Sequence, residues 1–205
     1  MTSDNVTSTG DRRRSGDLAT NPELWQALDN GKLMRAILTD FYETVFDDPK
    51  LAPFFDGVSK EWVIGKQYSF LMSIFTGEKS YFGERPRNAH HSMVISDELF
   101  DHRERLFEDC LRRFKLEEVH IQSWLAVHEV FRKQIVKDKP VPKKIRGVAL
   151  PLEGYEAITL SVGTLCDSCE SPVAEGAEVK YHVRTGRTYC QKCTPGASQP
   201  PPRPQ

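Results

Sequence analysis

Apolar residues recur at three- and four-residue steps through most of this chain, and that spacing admits packed helices rather than strands. Met34, Ile37, Phe41 and Val45 share one face of a helix that begins near Gly31. It should stop at Asp47-Asp48-Pro49, because proline disfavours helix in the residue before it. Glu61 to Phe75 reads as a second helix. Leu99, Leu106, Cys110 and Phe114 form another stripe, and Ile121, Trp124, Leu125, His128, Phe131 and Ile135 a further one. Cys110 lies on a stripe and so reads as a buried thiol, a small hydrophobe rather than a nucleophile. No β pattern of comparable length occurs before residue 157, so an all-α core is expected.

At 205 residues, with 39% hydrophobic and 28% charged side chains, the composition is that of a globular domain with some chain left over. Apolar runs are too short to span a membrane, and the polar first 20 residues lack the apolar centre of a secretory signal. A cytoplasmic protein without membrane association is expected. A net charge of -1 gives no surplus for a polyanion, so nucleic acid is not expected as a partner. Neither G-x-G-x-x-G nor G-x-x-x-x-G-K-[ST] occurs. His128-Glu129 opens like a zincin motif, but Arg132 stands where the second histidine would be needed. The expected organisation is a disordered segment at 1–20, a helical domain at 21–139, a linker at 140–156, a cysteine module at 157–193 and a Pro-rich disordered tail at 194–205.

A set of aromatic and histidine residues remains. Phe41-Tyr42 lies on the first long helix, Pro53-Phe54-Phe55 follows it, Gln67 sits in the next helix, and Tyr81-Phe82-Gly83 and Asn88-Ala89-His90-His91 come after. In order and spacing these pieces resemble the truncated haemoglobins, most closely their first group. FYETVFDDPKLAPFF resembles the family's second helix and following turn, KQYSFLMSIFTGEKSYFG its distal helix and loop, and AHHSMVISDELFD its proximal-histidine segment. The resemblance covers roughly residues 22–138.

It implies an all-α, two-over-two globin fold that binds haem b. Haem iron takes a neutral imidazole as axial ligand in globins, and the match assigns that place to His90. His91 would point about 100° away around a helix, so one of the two faces the iron. Phe55 would lie against the porphyrin face. Tyr42 and Gln67 match the distal polar pair, where each hydrogen bond to a bound ligand contributes about 1–3 kcal/mol in a dry pocket. Val63 falls at the distal gate and cannot donate. Lys66 is placed to reach a haem propionate, and Tyr81 completes the cofactor-binding set. Three departures stand out: Asn30-Gly31 replaces a glycine pair, Arg85-Pro86-Arg87 precedes the proximal segment, and Leu71 stands where an aromatic is frequent.

Cys166, Cys169, Cys190 and Cys193 form two C-x2-C pairs. In a reducing compartment that spacing reads as a metal site, and four thiolates suit tetrahedral Zn(II), with iron as the alternative. Between the pairs Val179, Tyr181 and Val183 alternate with polar residues and Thr185-Gly186 supplies a turn, a hairpin signal. Ile158, Leu160 and Val162 alternate likewise. The module resembles zinc-ribbon or rubredoxin-knuckle domains, and GRTYCQKC is similar to the hairpin finger of formamidopyrimidine-type DNA glycosylases. Lys180, Arg184, Arg187 and Lys192 balance Asp167, Glu170, Glu175 and Glu178, which favours a protein partner over nucleic acid.

The expected function is O2 binding, with NO and CO, at ferrous haem iron. Two alternatives stay open. One is a nitric oxide dioxygenase that depends on an external reductase, since no flavin or nicotinamide motif is present. The other is a gas or redox sensor that signals through the cysteine module.

Overall fold

The computed structural model describes residues 18–193, except 82, 146, 147 and 153. The tail expected at 194–205 and all but the last three residues of the segment expected at 1–20 lie outside the described residues.

Helix α1 (Pro22–Ala27) starts where Asn21 Oδ1 accepts the backbone N–H of Leu24 at 2.9 Å, with proline in the first turn, where its missing N–H costs nothing. Asp29, Asn30 and Gly31 then follow one another at φ 49, 48 and 96. Asparagine tolerates this left-handed backbone, which explains how Asn30 stands in for a glycine. Gly31 is held to glycine more strictly, because a Cβ there would strike the Tyr68 hydroxyl and come within 2.7 Å of the Trp25 ring.

The stripes read from the sequence become four long helices. These are α2 (Lys32–Asp47), α3 (Lys60–Thr76), α5 (Asp97–Arg113) and α6 (Glu118–Ile135), and the short α4 (Pro86–Ala89) precedes His90. α2 ends at Asp47, ahead of Pro49, and Asp48 caps the turn by accepting from the N–H groups of Lys50 and Leu51. Ser59 and Ser96 cap α3 and α5. Asp97 and Glu98 open α5 and Arg112 and Arg113 close it, each charge matched to the helix dipole.

α2 packs on α3 and on α5, and α5 packs on α6. One run of buried rings ties the four helices together. Phe41 of α2 meets Phe107 of α5 at 4.9 Å, Phe107 meets Trp124 of α6 at 5.2 Å, and Trp124 meets Phe75 of α3 at 5.5 Å. All three contacts are edge-on, the favoured arrangement for aromatic quadrupoles. Cys110 is buried in the same core with its thiol against Asp40, and burial pushes it up to about 12, far from a reactive thiolate.

The C-terminal part is a small antiparallel module. Strand β3 (Tyr155–Thr159) pairs with β6 (Glu178–His182), which pairs with β7 (Thr188–Tyr189); β4 (Thr164–Leu165) pairs with β5 (Pro172–Val173). Residues 140–156, expected as linker, carry more structure than a tether needs. β1 (Lys144–Ile145) and β2 (Val148–Ala149) form a two-rung hairpin, β3 opens at Tyr155, and Lys143 is fully buried. Strands of two residues leave no readable alternation. Among the described residues, no helix is long and apolar enough to cross a membrane.

Candidate functional site

Between α2, α3 and the segment around α4 lies a cavity of about 490 Å³, within the range of cofactor sites. Tyr42, Phe55, Val63, Lys66, Gln67, Tyr81 and His90 all line it. The neighbouring His91 does not: its imidazole is buried on the other side, against the C-terminal module.

Four-residue α4 leads directly into His90. Pro86 starts it, and His90 closes it with its backbone N–H on the Pro86 carbonyl at 3.1 Å. The His90 ring Nδ1 lies 2.8 Å from the same carbonyl oxygen. A carbonyl only accepts, so Nδ1 carries the proton and Nε2 keeps its lone pair. Burial pushes His90 down to about 4, and the charges of Lys137 and Arg103 add to that against the opposing Pro86 bond. The imidazole is therefore neutral near pH 7. A neutral ring whose second nitrogen is fixed by a carbonyl is what an axial metal ligand requires.

The Tyr42 ring, also on the cavity wall, stands edge-on to Phe41 at 5.3 Å and to Phe55 at 6.0 Å. Burial raises its phenol above the ordinary tyrosine range, so it stays a protonated donor. Lys66 has its ammonium 5.5 Å from the Trp62 ring. Tyr81 donates to the Glu84 carbonyl at 2.7 Å and packs edge-on against Phe70.

Sequence reading missed a half-buried charged cluster in this wall. Arg103, Glu104 and His128 line the cavity and bind one another, with His128 Nδ1 at 3.0 Å from a Glu104 carboxylate oxygen and 2.9 Å from the Arg103 guanidinium. Arg103 also lies over the rings of Phe41 and Phe107. The run Asp101-His102-Arg103-Glu104-Arg105 reads as a solvated face, and only the apolar stripe containing His128 hinted otherwise. Tyr181, Arg184, Thr185 and Gly186 of the C-terminal module line the same cavity and were also unforeseen there.

The module is joined to the helical part by a polar seam. Glu84 takes an ion pair from Lys143 at 2.6 Å and a hydrogen bond from the Tyr181 hydroxyl at 2.7 Å, and Lys143 donates to that hydroxyl in turn. Burial lowers Lys143 below the ordinary lysine value, against the pull of Glu84. Above the seam the four cysteine sulfurs lie within 4.8 Å of one another. Cys169 and Cys190 are 3.8 Å apart, about the edge of a tetrahedron with metal–sulfur arms of about 2.3 Å. Burial would raise the Cys166 thiol, but the backbone N–H groups of Cys190, Cys169 and Ser168 outweigh it and favour the thiolate. This set of donors can hold a metal.

A ring-lined cavity among packed helices, with the neutral imidazole of His90 on its wall, is the kind of pocket a globin uses. Comparison bears this out. The family described as bacterial-like globin matches residues 23–137. Truncated hemoglobin from Tetrahymena pyriformis in its Fe(III) form superposes with a TM-score of 0.53 at 23% identity, over 56% of this chain and 98% of that one. The 2/2 hemoglobin from Synechococcus, in the cyanomet state and with covalently attached heme, gives a TM-score of 0.52 at 19% identity, over 55% and 97%. No curated protein matches the chain. The chain belongs to the bacterial-like globin family, which implies haem and the binding of small gas ligands such as O2.

Proposed function

We propose that this chain is a haem b protein that binds O2, and with it NO and CO, and that its C-terminal cysteines hold Zn(II). The observation that carries the reading is His90: a neutral imidazole with Nδ1 tied to the Pro86 carbonyl and Nε2 left for a metal, on a cavity of about 490 Å³. When bound, haem supplies a ferrous iron open to a diatomic ligand.

The protein's own residues then divide the work. His90 would hold the iron through Nε2. Phe55 and the rings around it keep water away from the porphyrin. Tyr42 and Gln67 offer a phenol and an amide as hydrogen-bond donors to a ligand, and Val63 narrows the distal side without donating. Lys66 and Tyr81 serve the polar edge of the group. The globin unit spans 21–139 and the metal module 157–193. Zinc suits the module because four thiolates at tetrahedral spacing close the site, and a core of Cys166, Val173 and Val179 is too small to fold a module unaided. A cytoplasmic setting, which keeps these thiols reduced, goes with that assignment.

The test is the absorption spectrum of protein purified from haem-supplied cells. A Soret band is expected, lost in His90→Gly and restored when imidazole is added to that variant. A chain that takes up no haem overturns the reading.

A further inference from the structure

The turn between β6 and β7 is held in one shape. His182 accepts the backbone N–H of Thr185 on Nδ1 at 3.3 Å and the Thr185 hydroxyl on the same atom at 2.6 Å. Gly186, at φ 74, lets the chain reverse and donates its N–H to the His182 carbonyl at 2.8 Å. The turn projects Arg184 onto the cavity wall, where its guanidinium donates to the Asp56 carbonyl at 3.0 Å, next to Phe55.

The charges lining the cavity are nearly all accounted for. Arg103 is paired with Glu104, and Glu84 with Lys143. Lys66 and Arg184 are the two cavity-lining cations without a carboxylate partner among the described residues. An unmatched guanidinium at the edge of an apolar pocket favours an anionic group on whatever fills it, and its planar fork matches a carboxylate with two parallel bonds. Haem b carries two carboxylates on one edge. We infer that Arg184, supplied by the cysteine module rather than by the globin helices, binds a haem propionate alongside Lys66.

This rests on the haem reading above and extends it: the module is a wall of the cofactor site. Arg184 holds its place only while the β6–β7 hairpin is folded, and the second C-x2-C pair directly follows that hairpin. Loss of the module's metal should therefore loosen haem as well.

The experiment follows haem leaving the wild-type protein, Arg184→Ala and Arg184→Lys for excess apomyoglobin, read at the Soret band. Each chain is loaded first with iron protoporphyrin IX and then with its dimethyl ester, which has no free carboxylate. Circular dichroism and zinc content check that the variants are folded. Arg184→Ala should release haem about tenfold faster, with Arg184→Lys in between, and the ester should leave the wild type and Arg184→Ala at one rate. Equal rates for free-acid haem in Arg184→Ala and wild type overturn the inference while leaving haem binding intact. Equal acceleration of haem and ester overturns it too, since Arg184 would then only brace the Asp56 carbonyl. Failure of the wild type to take up haem removes the parent reading and this one together.

Discussion

His91 Nε2 lies 3.0 Å from the carbonyl oxygen of Val183, a hydrogen bond across 92 residues of sequence. The carbonyl can only accept, so Nε2 is the protonated nitrogen, and Nδ1 is buried without a partner. The His91 backbone carbonyl accepts in turn from Val141 at 2.8 Å, and Lys137 donates to the His90 carbonyl at 2.7 Å. Two adjacent histidines thus serve two interfaces: His90 faces the cavity, and His91 clamps the cysteine module to the segment that carries it.

His91→Ala leaves the buried Val183 carbonyl with only the longer 3.5 Å bond from Lys143, which costs about 1–3 kcal/mol. The expected result is a lower urea midpoint and faster amide exchange in β6 and β7, with the Soret band retained. Denaturation, exchange and the spectrum on the same preparation check it. A Soret band lost to the same degree as in His90→Gly would contradict the division of labour between the two rings.

The long helices were legible because apolar spacing is a local pattern, although α5 buries Phe100, Phe107 and Leu111 with Cys110 and leaves Leu99, Leu106 and Phe114 half-buried. Met34, Ile37, Phe41 and Val45 are all buried in α2, as their spacing requires. The hairpin alternation was equally plain, and Val179, Tyr181 and Val183 are all buried. What those three residues are buried against was not legible. Val179 packs beneath the cysteines, while Tyr181 and Val183 meet Glu84 and His91 of the helical part. That is a tertiary relationship with no sequence period. The burial of Lys143 was not legible for a related reason: it is offset by Glu84 and Tyr181, which are distant in sequence.

The metal prediction follows from the sulfur geometry. Cys169→Ser removes one of four donors and should abolish stoichiometric zinc, because three thiolates leave a tetrahedral site open. Metal analysis of purified protein reads the loss. Exchange protection should fall in β3, β6 and β7, while the protection of α2, α5 and α6, whose aromatic core lies outside the module, is kept. Collapse of the whole protein into one unfolded state would show that the seam couples the two parts more tightly than its hydrogen bonds indicate.

Acid should weaken the Arg103–Glu104–His128 cluster, and the sign can be worked out. Burial would raise Glu104, but the Arg103 guanidinium and the His128 imidazole hold it at about 2, below its ordinary 4.5. The unfolded chain therefore binds the proton first. This stabilisation, on the order of 3 kcal/mol, is present above pH 4.5 and lost as pH falls toward about 2. Burial holds His128 below its ordinary 6.5, which works in the same direction, because the unfolded imidazole charges before the buried one. Urea midpoints measured between pH 7 and pH 3 should fall with acid, and less steeply in Glu104→Gln. Parallel slopes for the two proteins would remove Glu104 from the acid response.

The distal pair carries the last prediction. Tyr42 is buried, its phenol stays protonated, and it lines the same cavity as Gln67; on the proposed reading both would donate to a ligand on the iron. A hydrogen bond of about 1–3 kcal/mol in a dry pocket corresponds to roughly 5–150-fold in a dissociation rate. Tyr42→Phe keeps the ring contacts with Phe41 and Phe55 and deletes the hydroxyl, with its bond to Arg103, so O2 should leave roughly tenfold faster or more, while CO, a weaker acceptor, changes little. Gln67→Leu should move O2 release in the same direction, and the double variant should show less than the product of the two effects if both donors serve one ligand atom. Stopped-flow displacement of O2 by CO measures all three. O2 release unchanged in Tyr42→Phe would take the phenol out of the ligand site and leave it as a packing residue against Phe55.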